Sequence, residues 1–171
     1  MGLFAVEEWK VSEIFDLLIA LRFDNIKNKI EREPFFIPEI ADLYNEDNVF
    51  DNNSALTGNI GAKIHASEKS DFSINLANSF RGPDLFSKYN FADGVIPNPD
   101  LEAEEGVFYE LGYAYKGQKF KLNTNFYQNF LDNLYVPVTL EFQGTPAVQN
   151  QAVGEAKITG FEYQFCLLYT S

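Results

Sequence analysis

The sequence predicts an all-β chain, an antiparallel up-and-down segment of a transmembrane β-barrel. Three observations predict it. Apolar and polar residues alternate with a period of two through most of the chain. The segments between the alternating stretches are short and long by turns. Aromatic residues make up 16% of the chain, with Phe 17, Tyr 9 and Trp 1, and aromatics gather in the girdles of membrane barrels.

Asp71 to Phe80 alternates most cleanly: Phe72, Ile74 and Leu76 point one way, Ser73, Asn75, Ala77 and Ser79 the other. Ile14 to Asp24 sets Phe15, Leu17, Ile19, Leu21 and Phe23 against Asp16, Ala20, Arg22 and Asp24. A helix would rotate residues spaced by two around its axis, so this pattern belongs to strands. Ala55 to Ala66, Val107 to Lys116, Lys119 to Phe130 and Glu155 to Phe165 follow the same rule, and Leu3 to Trp9 is a weaker seventh strand. Each is close to the ~9–11 residues that a tilted membrane strand needs.

The connections Lys10 to Glu13, Ser67 to Ser70 and Gly117–Gln118 are short. Those from Ile26 to Ser54, Arg81 to Gly106 and Leu131 to Gly154 are long. Short periplasmic turns facing long extracellular loops are the habit of outer-membrane barrels. A soluble β-sandwich also alternates but has no reason to gather its long loops at one end. Seven strands cannot close a large barrel, and lipid does not tolerate open strand edges. The expectation is therefore an internal piece of a wall of about 22 strands.

Composition narrows the function. With 13 basic and 25 acidic residues the net charge is -12, which repels phosphate and excludes nucleic acid as a partner. The acid gathers in Glu7 to Asp16, Glu31 to Asp51 and Asp93 to Glu105. Solvated loop charge accounts for the latter two stretches; a hard cation such as Ca²⁺ is the alternative. No apolar run is long enough for a transmembrane helix, and the opening residues do not read as a signal peptide. One cysteine, Cys166, permits no internal disulfide. No nucleophile–base pair or metal-ligand spacing occurs, and adjacent carboxylates such as Glu7–Glu8 and Glu104–Glu105 project to opposite faces of a strand. No enzyme, cofactor or metal site is implied.

Several motifs sit at the strand ends. Phe80-Arg81-Gly82-Pro83-Asp84-Leu85 opens a long loop, and Asn98-Pro99-Asp100-Leu101 closes it. Tyr109-Glu110-Leu111-Gly112-Tyr113 lies on the next strand, and Gly154-Glu155-Ala156-Lys157-Ile158-Thr159-Gly160-Phe161-Glu162 opens a later one. Pro83 and Pro99 lack an N–H and end ladder pairing. Asn98-Pro99 starts a turn. Gly82, Gly154 and Gly160 let the chain turn, bend or admit a neighbour. Arg81, at the loop base, faces either a loop carboxylate or an anionic ligand.

In this order the motifs resemble the barrel of TonB-dependent outer-membrane receptors, over about Gly2 to Phe165. The resemblance implies uptake of a ferric siderophore, haem or similar scarce ligand. It also implies energy from a TonB–ExbB–ExbD complex acting through a plug domain that this sequence lacks. Passive porins or adhesin barrels, and a soluble β-rich binding domain, are the alternatives. The resemblance makes Phe80, Gly82, Pro83, Asn98, Pro99, Leu101, Tyr109, Glu110, Gly154 and Gly160 structural. Arg81, Lys88, Tyr89, Asn90 and Asp93 are the ligand-contact candidates. Haem receptors resemble Phe80 to Leu101 most, yet they carry a loop histidine that Leu85 to Pro97 lacks. Tyr89 carries an oxygen able to ligate iron. The lone histidine, His65, falls near the periplasmic rim, facing the lumen. Cys166 to Ser171 breaks the alternation and resembles the translation of a transposon end, so residues 1–165 are expected to be barrel and 166–171 a non-native tail.

Overall fold

The computed structural model describes residues 1–31, 48–89 and 94–169. Seven strands form one sheet in chain order: β1 Gly2–Ser12, β2 Phe15–Glu31, β3 Asn48–Ser67, β4 Ser70–Arg81, β5 Glu104–Lys116, β6 Phe120–Phe142 and β7 Thr145–Leu167. Every neighbour pair is antiparallel. One turn of helix, α1 Leu85–Tyr89, interrupts the β4–β5 connection. The sheet is open, with β1 and β7 at its edges.

Register fixes the two faces. Leu17, Ala62, Ile74, Leu111 and Phe126 are successive partners across β2 to β6. The row below runs Phe15, Ile64, Phe72, Tyr113, Thr124 and Tyr163. Apolar side chains on this face stay open to their surroundings: Ile74, Leu111 and Phe161 are all exposed. Water would penalise that; a hydrocarbon bilayer does not. The other face carries Lys63, Ser73, Gly112, Asn125 and Glu162 in partnered rows. It is the lumen side.

Aromatic rings bound the apolar face. Toward the short turns, Phe72 packs on Tyr113 at 4.9 Å, Tyr115 on Phe120 at 5.1 Å and Phe120 on Phe165 at 5.4 Å. Toward the other end Tyr109 meets Phe130 edge-on at 6.0 Å, and Glu105 and Asp132 are partners just beyond. From Glu105 to Tyr115 is about 34 Å of strand, or about 24 Å of depth at a 45° tilt, matching a barrel's apolar band.

Two short turns are built alike. A register shift at Lys10/Ser12 precedes one and a shift at His65/Ser67 the other. In each the serine hydroxyl accepts an N–H two residues on, from Ile14 at 3.3 Å and from Lys69 at 3.2 Å, the usual serine turn.

The structure corrects two loops. Leu131 to Gly154 is not a loop: β6 and β7 run on as a paired ladder to Phe142–Thr145. Gln143 and Gly144 close the hairpin at φ 51° and 77°, the left-handed pair of a tight two-residue turn. Asn133, at φ 57°, marks the irregularity between Leu131 and Leu134, where the ladder resumes opposite Gly154. The segment Ile26 to Ser54 also gives up its ends, which pair as far as Glu31 and Asn48. β7 carries the pairing through Cys166 and Leu167, opposite Lys121 and Phe120.

The sheet forks near its outer end. Backbone pairing of β3 with β4 stops at Asn59 and Ala77. Beyond that point β3 pairs only with β2, and β4 only with β5. At the fork the Asn78 carboxamide replaces a peptide. Its Oδ1 accepts the Gly58 N–H at 2.7 Å and its Nδ2 donates to the Leu56 carbonyl at 3.1 Å.

Candidate functional site

The long β4–β5 loop and the outer β6–β7 hairpin fold onto each other and form the buried core of the described residues. Leu101 is 3% exposed, with Ile96, Ala147 and the side chain of Lys88 also buried. The loop adds a short parallel bridge to β7. The Ile96 N–H donates to the Val148 carbonyl at 2.9 Å, and the Val148 N–H donates to the Gly94 carbonyl at 2.7 Å.

Asn98 is the pin. Its N–H donates to the Lys88 carbonyl at 2.8 Å, and its side-chain amide donates to the Asn150 carbonyl at 2.8 Å. Its own carbonyl accepts the Leu101 N–H at 3.1 Å, closing a turn with Pro99 at the position where a fixed φ is favoured. Gln149 adds a bond to the Pro97 carbonyl at 2.8 Å.

Asp84 caps α1. Its Oδ1 accepts the Ser87 N–H at 2.7 Å and its Oδ2 accepts the Ser87 hydroxyl at 2.9 Å. The Ser87 backbone N–H holds the Asp84 carboxyl below the usual carboxylate range. A depressed carboxylate supports the folded form above its ordinary pKa and loses that support as pH falls through the depressed value. Asp84→Ala is expected to fray α1 by about 1 kcal/mol at neutral pH and to flatten its response to acid. Hydrogen exchange at the Ser87 amide between pH 7 and pH 3 checks this; an unchanged acid response in the variant would refute it.

Arg81, the last residue of β4, partners Glu104, the first of β5. Arg81 Nη1 donates to Glu104 Oε2 at 2.8 Å, and Glu104 Oε1 accepts the Tyr135 N–H at 3.0 Å. The guanidinium lies over the Tyr135 ring at 5.6 Å, and the Tyr135 hydroxyl donates to the Arg81 carbonyl at 3.4 Å. Burial, with Glu104's charge second, pushes that hydroxyl up to about 12, so it stays a neutral donor. The Glu104 side chain is 14% exposed and the Arg81 side chain 65%. The carboxylate is thus committed to the fold, while much of the guanidinium faces outward. Glu104→Gln is expected to weaken the Tyr135 anchor by about 1.4 kcal/mol, a tenfold faster exchange of that amide. An unchanged rate would refute the role.

The remaining residues fall as follows. Tyr89 ends α1 beside the buried Lys88; Asn90 and Asp93 lie outside the described residues. Phe80 is on the lipid-facing side, opposite Glu105. Pro83 is buried and Gly82 half-buried where the chain leaves the sheet. Tyr109 belongs to the outer aromatic pair, and Glu110 accepts the Asn125 amide at 2.5 Å on the lumen face. Gly160 lies beneath the Tyr127 ring, which occupies the place a side chain there would take. His65 sits on the lumen face between Asp71 at 2.7 Å and Asp16 at 2.9 Å.

Sequence reasoning missed Glu104, Tyr135 and Gln149 as parts of this site. Glu104 could have been found, since it stands beside the Asn98-to-Leu101 motif. Tyr135 and Gln149 lay in a segment misread as a loop.

An open meander with a lipid-facing apolar band and a folded outer platform defines the wall of a large membrane β-barrel of the receptor type. The family model described as TonB dependent receptor-like, beta-barrel matches residues 1–165, and the chain belongs to that family, one of receptors and transporters rather than enzymes. Among solved structures it is similar to the copper transporter OprC, with a TM-score of 0.74 and 20% identity over 99% of this chain and 26% of that one. The siderophore receptor PirA from Pseudomonas aeruginosa gives 0.69 and 17%, over 95% and 27%. The Serratia marcescens hemophore receptor HasR, solved with its hemophore HasA and heme, gives 0.69 and 14%, over 98% and 31%. The chain thus spans about a quarter to a third of these structures. No match is found among curated proteins.

Proposed function

We propose that this chain forms part of an outer-membrane receptor that takes up a ferric siderophore, haem or a similar scarce ligand. The observation that carries this reading is the outer platform. Loop and hairpin are locked together by Asn98, Gln149 and the Val148 bridge, and the platform holds the exposed guanidinium of Arg81 at the loop base. A cation fixed on a rigid support suits an anionic chelate or a propionate-bearing ring. Of the five candidates Lys88 is buried in the platform core, and Arg81, Tyr89, Asn90 and Asp93 are the residues we assign to ligand contact. Energy would come from a TonB–ExbB–ExbD complex through a plug domain. We assign residues 1–165 to the barrel portion and 166–171 to a non-native tail, of which Cys166 and Leu167 extend the β7 ladder.

The full-length gene should be expressed in a strain stripped of its own iron receptors, with and without TonB. Ferric siderophores, haem and copper are then offered in turn. The expected result is TonB-dependent uptake of one iron-bearing ligand, with at least tenfold weaker binding in Arg81→Ala. TonB-independent uptake, or uptake of copper alone, would overturn the reading.

A further inference from the structure

The fork between β3 and β4 leaves a dent in the lipid-facing surface. In the row above Ile19, Ile60, Leu76 and Tyr109, the positions on β3 and β4 are Gly58 and Asn78. Neither fills the space that a bulky side chain would. The result is a hollow of about 370 Å³, floored by Gly58 and Asn78 and walled by Leu21, Ile60, Leu76 and Val107.

Three features decide what suits it. No charged residue lines it. The Asn78 amide in its floor is bonded at both ends to the β3 backbone. The hollow is also continuous with the apolar band, one row short of Glu105 at the outer boundary. Its apolar walls, Leu21, Ile60, Leu76 and Val107, lie on the lipid-facing side of the sheet. An unfilled apolar dent forfeits dispersion contacts on its open side.

We propose that this hollow is a seat for one acyl chain of an outer-leaflet membrane lipid. The chain lies across Gly58, where the missing side chain lets it approach the backbone, and Leu21 and Val107 flank it. The inference rests on the membrane-spanning reading of the sheet. The Asn78 clasp closes the fork at its floor.

The test uses the full-length receptor in phospholipid vesicles doped with a phospholipid carrying a diazirine in its acyl tail. After irradiation, adducts are mapped by peptide mass spectrometry. The expected map shows adducts at residues 56–60 and 76–78 at least fivefold above those at Ile74, Leu111 and Phe161. Val107→Trp, which covers the hollow with a ring, should bring this ratio to one; Leu111→Trp should leave it. Adducts spread evenly over the band in the wild type would overturn the seat while sparing the membrane reading. A lack of adducts on any strand would overturn both. The wild-type map decides the matter even if Val107→Trp fails to fold.

Discussion

Truncating Leu101 to alanine is expected to release the outer platform while leaving the barrel wall intact. Leu101 is buried, only 3% exposed. Its N–H also closes the turn begun by Asn98. Removing most of a buried leucine costs about 2–5 kcal/mol, and here the loss falls on one docking contact. The Ile96 and Val148 amides, which hold the bridge to β7, should exchange at least tenfold faster in the full-length receptor. The thermal midpoint of the barrel should not move, because the β-ladder does not depend on Leu101. If our functional proposal holds, ligand affinity should fall with it. Unchanged protection at Ile96 would show that the loop is held by something other than this core.

Ile74→Arg is expected to be the most damaging change in the wall itself. Ile74 lies mid-band, between its partners Ala62 and Leu111. An arginine at that depth on a lipid-facing strand costs about 2–4 kcal/mol. Its neighbour Asn75 points into the lumen beside Gly61 and Glu110, and Asn75→Arg should cost under about 1 kcal/mol. Refolding of both variants into lipid vesicles under a denaturant gradient measures the difference. Equal costs would mean that the faces have been assigned the wrong way round.

The spanning part of the fold was readable because lipid enforces a strict rule. Phe72, Ile74 and Leu76 alternate with Ser73, Asn75 and Ala77 since one side meets hydrocarbon and the other the lumen. Beyond the membrane that rule lapses. In the outer halves of β6 and β7 both faces meet water or the docked loop, so no clean alternation survives. Pro137 and Pro146 sit within these strands and read as breakers, and Gln143–Gly144 turns the chain without the usual Asn-Gly signature. The site followed the same divide. Arg81 and Asn98 stood out by motif, but their partners Tyr135 and Asn150 belong to the hairpin that was misread. The opposite faces expected for Glu104 and Glu105 are what the register shows, and this lets Glu104 reach Arg81 while Glu105 faces out.

The parallel bridge has a consequence for the order of assembly. Each hairpin of the sheet joins neighbours in the chain, so the wall can grow one strand at a time with little loop-closure entropy. The platform cannot. The bonds from Asn98 to Asn150 and from Gln149 to Pro97 each span 52 residues, and their acceptors and donors on β7 are in place only once the β6–β7 hairpin has formed. Until then the loop leaving β4 has nothing to dock on, and Leu101 stays in water. Docking should therefore appear as a late kinetic phase, after the wall has formed.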